Sequence, residues 1–324
     1  VEYIQLRAKD YGSAKVYVIG AITKQSAGEE IAEMATMKAG GIVAVSDDGK
    51  CVQNARLMLS CMKYASNFGL PVIIHPEDYF LAGKGQIHSG KVATKLGLSG
   101  IPGLAEEVII ARDIMLAESA GVKLHIAHIS TARSIELVKN AKDKGLPVTC
   151  EVTPHHLVLN EEANLTFNTN TKMKPPLRSE EDRRACVQAL QEGIIDCIAT
   201  DHSPHADFEK EREFDLAPFG IIGLETAFPV LYKNLVQTGQ IDLNRLIEAL
   251  TIAPAKILNL PGGILAEGKT ADLTIIDLEK ETLFSAENIL SKSKNTPWLN
   301  QWFPGRVMCT ICDGKITYLD SENE

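Results

Sequence analysis

Apolar and polar positions fall into alternating blocks along the chain. From residue 15 onward, short and nearly continuous β-branched apolar runs are each followed by a longer stretch with apolar positions three and four residues apart. The runs at 15–22, 41–47, 71–75, 122–129, 147–153 and 194–200 predict strands, and the stretches near 28–38, 54–67, 104–119, 131–144 and 179–192 predict helices. Ser179 followed by Glu180, Glu181 and Asp182 reads as a helix start, with a hydroxyl cap and acids in the first turn. Gly40, Gly69, Gly121, Gly145 and Gly193 mark helix ends. Strands that are apolar on both faces and alternate with helices imply an α/β fold, a parallel sheet covered by helices.

A closed barrel of this kind needs eight such units and six are visible. The rival, an open doubly wound sheet, would carry a Gly-rich phosphate turn after its first strand, and none is present. The expectation is therefore a (β/α)8 TIM-type barrel over residues 1–260, with strands one and two missing. Val1 is not an initiator methionine, and "VEYIQLRAKDYG" reads at once as the middle of a helix, so the chain is expected to have lost its beginning. After residue 260 the texture changes to short alternating strands between Gly and Asp turns. Residues 261–324 read as a small β module, with 291–298 a polar connection within it.

Composition narrows the function. The net charge is −9 and the 33 Lys and Arg residues are scattered, which excludes a nucleic-acid or anionic-membrane surface. No apolar run approaches the roughly 18 residues of a membrane span. Seven cysteines, an odd number spread through predicted elements, fit reduced cytoplasmic thiols better than a disulfide framework. Cys309 and Cys312 form a CxxC, but within a predicted strand, Val307 to Ile316, positions three apart face opposite sides.

The chemistry concentrates where strands end. These ends read "SDDG" (46–49), "HPED" (75–78), "HIAHIST" (125–131), "EVTPHH" (151–156) and "TDHSPH" (200–205), and only His88 of the eight histidines stands apart. In a parallel barrel these ends converge on one rim. A lone strand-end histidine is usually a hydrogen-bonded structural residue; a succession of them with aspartates suits a borderline metal such as Zn²⁺. Strand alternation with His128 pointing inward puts His125 on the outer face as a core histidine. His155 and His156 either orient ligands or simply pack. Hydrolysis of an amide needs a carboxylate beside the attacking water, to take its proton and return it to the leaving nitrogen. Asp201, at the end of the last strand, is the candidate.

Together "AVSDDG", "IIHPED", "HIAHIST", "EVTPHHL", "KPPLR", "ATDHSPH", "APFGIIGLET" and "LSKSKNTP" resemble, in order and spacing, the bacterial class I dihydroorotases of the amidohydrolase superfamily. The resemblance implies a distorted (β/α)8 barrel with a small β-sandwich built from both chain ends. It implies one or two zinc ions, and reversible cyclisation of N-carbamoyl-aspartate to dihydroorotate in pyrimidine biosynthesis. It implies metal ligation by Asp48, His75, His128 and Asp201, with Asp201 also the general base and acid. His205 would contact the substrate carboxylate, and Phe219 and Gly220 the dihydropyrimidine ring through backbone groups. The segment 206–216 would be a rim loop. It leaves room for a homodimer or an aspartate transcarbamoylase complex.

Two departures stand out. The family's opening strand ending in His-x-His, its nearby Arg, and a second strand ending in Pro-Asn-Thr do not occur, so this chain alone is expected to bind metal weakly and to be inactive. Lys174 stands where the family has an Asn that hydrogen-bonds substrate; lysine offers only donors and a positive charge, for a substrate carboxylate or for altered activity. Two other readings follow. One is a hydantoinase or allantoinase, whose bridging lysine is replaced here by the aspartates of "SDDG". The other is a non-catalytic scaffold for aspartate transcarbamoylase, against which the retained polar rim speaks.

Overall fold

The computed structural model describes residues 1–320; residues 321–324 of the predicted β module lie outside the described residues. Six parallel strands form one sheet whose spatial order follows the chain: β1 (Ile19–Gly20), β2 (Ala44–Ser46), β3 (Val72–Ile74), β4 (Leu124–Ile126), β5 (Val148–Val152) and β6 (Cys197–Ile198). Among the described residues β1 and β6 are the sheet's edges, and Ile19 on β1 is 43% exposed. The paired stretches are shorter than the apolar runs predict. The 15–22 run contributes only two ladder residues, although Val18 and Ile22 are still buried.

The main helices are α1 (Glu2–Tyr11), α2 (Met34–Ala39), α3 (Ala55–Ser66), α4 (Leu104–Ala120), α5 (Ala132–Asp143) and α6 (Glu180–Gln191). Ser179 Oγ accepts the Asp182 N–H at 3.1 Å, the cap that the sequence predicts. Asn54 and Thr131 cap α3 and α5 in the same way. Helix α2 starts later than the predicted 28–38, because Thr23 pairs with Ile31 across a tight loop in which the Lys24 N–H bonds Glu30 O.

The outward strand face carries Val45, Val72, Ile74, Leu124, Ile126, Cys150 and Val152, which pack with Met58, Met62, Ile110, Val138 and Val187 from the helices. The inward face holds a much smaller apolar cluster of Ala44, Ile73 and Ala127. That asymmetry leaves the space inside the sheet to polar groups.

A second sheet of β7 (Leu273–Leu283), β8 (Trp302–Cys312) and β9 (Lys315–Leu319) is antiparallel, with β8 central. The expected single strand over Val307–Ile316 is broken by a turn at Asp313–Gly314, where both residues adopt positive φ. Phe284, Trp298 and Phe303 from this region pack on Met173, Ile221 and Ile222, which places the small sheet beside the rim segments of the barrel. All seven cysteines are free thiols. Among the described residues no helix is long and apolar enough to cross a membrane.

Candidate active site and metal centre

Three strand ends bring the first group together. Asp48 follows β2, His75 follows β3 and His128 lies two residues beyond β4. His75 Nδ1 and His128 Nε2 are 2.9 Å apart, and Asp48 Oδ1 lies 3.6 and 3.3 Å from them. The rings meet edge to face at 84°. Both histidines are buried, whereas the Asp48 side chain is half-exposed on the open side.

The fit to a cation follows from these contacts. Two imidazole nitrogens facing each other share room for one proton, and the other ring nitrogen of His128 is buried without any partner. Two nitrogens and a carboxylate oxygen form a donor set for a borderline divalent ion.

Electrostatics agree with the geometry. Desolvation pushes the Asp48 carboxyl upward, but the hydrogen bonds and charges of His128 and His75 win and hold it well below the usual carboxylate range. Burial depresses the His128 pKa, and the Asp48 carboxylate beside it more than reverses this, lifting it to about 9. Burial raises the Asp201 pKa; the charge of His128 opposes the rise and that of Asp48 adds to it.

Asp201 follows β6 and lines the same cavity, of about 460 Å³, as Asp48, His128, His125, Glu151 and Cys197. His128 and Asp201 have φ of +37° and +48°, a region that non-glycine residues occupy at a cost of about 1–3 kcal/mol each. Both turn sharply out of their strands, and the turn aims their side chains inward. A larger hollow, about 630 Å³, lies at the opposite strand ends between residues such as Pro71, Lys123, Pro147 and Arg245. His125 and Asp196 reach its lining, but Asp48, His128 and Asp201 line only the smaller cavity, so chemistry selects the smaller one.

The left-handed turn at His128 overturns one expectation. Alternation carried back from His128 assigns His125 to the outer face, but the ladder ends at Ile126 and the alternation breaks there. Ile126 packs outward, while His125 points inward in the same row as Ile73 and Thr149. His125 is nonetheless a buried, satisfied histidine: its ring bonds Thr149 Oγ1 at 2.8 Å and Glu151 Oε2 at 3.0 Å. Glu151 carries no predicted role, although it is the one charged residue of the Val148–Val152 strand.

The other rim residues are engaged with protein. His205 Nε2 lies 2.9 Å from the Phe219 carbonyl. The Gly220 N–H donates to Lys172 O, and a Cβ at Gly220 would stand 2.5 Å from Ser203 Cβ, so this position requires glycine. Lys174 pairs with the buried Glu77 at 2.8 Å and stands 5.0 Å from the Phe219 ring centre. His202 Nδ1 accepts the Gly223 and Leu224 N–H groups. His156 bonds Thr153 Oγ1 and the Pro175 carbonyl, whereas the buried His155 Nε2 has no partner. Asn295, within the segment read only as a polar connection, was missed. Its side chain donates to Ser203 O and Gly220 O and accepts from the His205 N–H, tying two rim motifs together.

Residues 18–317 match the amidohydrolase family model. The chain is 50% identical over 319 residues to a dihydroorotase from Endomicrobium trichonymphae, covering 98% of this chain and 76% of that one. It is 48% identical, also over 319 residues, to a dihydroorotase from Anaeromyxobacter dehalogenans, covering 73% of the latter. Among solved structures, an L-hydantoinase from Arthrobacter aurescens superposes with a TM-score of 0.83 at 24% identity, covering 96% of this chain and 72% of that one. A D-hydantoinase from a Thermus species superposes with 0.76 at 22% identity, covering 93% and 68%. These structures show the fold alone.

Proposed function

The chain belongs to the amidohydrolase family and to its dihydroorotases, metal-dependent cyclic amidohydrolases, and from this premise we propose a zinc-dependent dihydroorotase acting in pyrimidine biosynthesis. The reaction is hydrolysis of the cyclic amide of dihydroorotate to N-carbamoyl-L-aspartate, and its reversal. The observation that carries the reading is the convergence of Asp48, His75 and His128 at the edge of a cavity that Asp48, His128 and Asp201 line.

In this reading Asp48, His75, His128 and Asp201 hold the metal, which when bound supplies a water acidic enough to ionise near neutral pH and a polarised carbonyl. Asp201 takes the proton of the attacking water as the carbon–oxygen bond forms. It returns that proton to the ring nitrogen as the carbon–nitrogen bond breaks. A carboxyl whose pKa is raised by burial is suited to both halves of that transfer. His205, Phe219 and Gly220 form the substrate side of the site, and an incoming carboxylate competes with Glu77 for the Lys174 ammonium. The reading takes residues 1–260 as the barrel unit and the module that starts at residue 261, described to residue 320, as the C-terminal part of the β-sandwich. A cytoplasmic setting goes with this reading, supported by the free thiols.

The test is turnover of dihydroorotate, hydantoin and allantoin by the full-length protein and by Asp201→Asn. Dihydroorotate is expected as the preferred substrate, with activity abolished in the variant. Preference for hydantoin moves the assignment to the relatives seen in the fold comparison. No turnover in either direction leaves the scaffold reading.

A further inference from the structure

Two lysines that the proposed mechanism does not use are buried. Lys172 is among the largest fully buried side chains, and Lys210 is only 6% exposed. Burying an ammonium costs several kcal/mol unless its donors are satisfied, and here each one finds backbone carbonyls. Lys172 Nζ donates to Phe214 O at 2.7 Å, Asp215 O at 3.1 Å and Ala217 O at 2.6 Å, using all three of its hydrogens. Lys210 Nζ donates to Pro218 O at 2.8 Å and to Thr169 O at 3.0 Å. With His205 on Phe219 O, five carbonyls between residues 214 and 219 are held by cationic or imidazole groups. The Lys172 carbonyl accepts the Gly220 N–H at 2.9 Å, and its ammonium lies 4.7 Å from the Phe219 ring centre.

We propose that Lys172 and Lys210 are positioning residues: a two-ammonium brace that fixes the loop 214–220 as the substrate-facing wall of the site. This rests on the dihydroorotase reading, and in particular on Phe219 and Gly220 meeting the substrate ring. A segment bearing a proline, Pro218, a glycine at φ +116° and almost no ladder or helix bonds has no regular structure to hold its shape. Side-chain cations that each capture several carbonyls supply what a ladder otherwise would. The same brace locks the loop to the 169–174 segment and so to Lys174, joining the two sides of the substrate pocket.

Lys172→Met keeps the stem volume and removes the donors; Lys210→Met, which loses fewer bonds, guards against failure of the first to fold. In the full-length protein, Lys172→Met is expected to raise KM for dihydroorotate about tenfold or more, as loss of buried hydrogen bonds at a binding wall does. Its kcat and bound metal should change far less, and amide hydrogen exchange should accelerate across 214–220. Lys210→Met should show the same pattern more weakly. Native turnover with KM unmoved in both variants overturns this inference alone, as does unchanged exchange across the loop. Absence of native turnover on dihydroorotate overturns instead the reading on which it rests.

Discussion

Two histidine clusters share the inside of one sheet, and they differ in what they leave unfinished. In the deeper one, His125 bonds Thr149 Oγ1 and Glu151 Oε2, so both ring nitrogens have ordinary partners. Its backbone is regular strand in register with Ile73 and Thr149. At the rim, His75 and His128 point nitrogens at each other, His128 Nδ1 has no partner, and His128 and Asp201 sit in left-handed conformations. A satisfied polar cluster needs nothing further to be stable. The rim cluster leaves a buried ring nitrogen without a partner and offers two imidazole nitrogens and a carboxylate oxygen to a cation, and its left-handed backbone marks the place where the chain gives up local stability for geometry.

That contrast can be broken most decisively at Asp201. Asp201→Asn keeps the shape and removes the proton acceptor, so turnover of the full-length protein should fall by about 10²–10⁴-fold, the range for a lost general acid–base. Steady-state rates in both directions decide it. If the variant retains more than a tenth of native activity, the proton-transfer assignment is wrong.

Next comes the metal. His75→Ala and His128→Ala should each weaken metal affinity by more than the roughly 10–100-fold typical of losing an outer partner of a ligand. Titration against a competing chelator measures this. Equal metal affinity in native and variant proteins would remove these histidines from the ligand set. His125→Ala separates the two clusters. It should cost about 1–3 kcal/mol of stability by leaving Thr149 and Glu151 without their partner, while metal affinity stays near native. A large loss of metal in this variant would erase the distinction between the clusters.

The remaining test is pH. Burial first, with the Arg178 charge adding to it, lowers the His88 pKa to about 4, and burial lowers that of His156 to about 3. Both are depressed below the unfolded value near 6.5. Their neutral forms therefore contribute stability that is fully present above pH 6.5, declines as pH falls, and is lost below about pH 4 and 3. The slope is at most about 1.4 kcal/mol per pH unit for each group. Urea melts between pH 7 and 5 should show the decline, and it should diminish in His88→Gln. A pH-independent midpoint over that range would contradict the buried, neutral assignment.

Much of this protein is written in local pattern. The alternation of apolar runs with 3.6-period stretches determines the α/β class, and the caps at Ser179 and Thr131 work as their residue types require, because capping is a matter of neighbouring backbone groups. The grouping of His and Asp at strand ends likewise points to the rim, since parallel strands must deliver their ends to one side. Three things depended on tertiary structure. The direction of His125 was decided by where the β4 ladder stops, which is set by neighbouring strands and not by side-chain alternation. The partners of Lys174, Lys172 and Asn295 lie 97, 42 and 92 residues away for Glu77, Phe214 and Ser203, beyond the reach of any periodicity. His and Asp tolerate the left-handed region better than most residues, but that His128 and Asp201 adopt it at these strand ends is visible only in the tertiary structure.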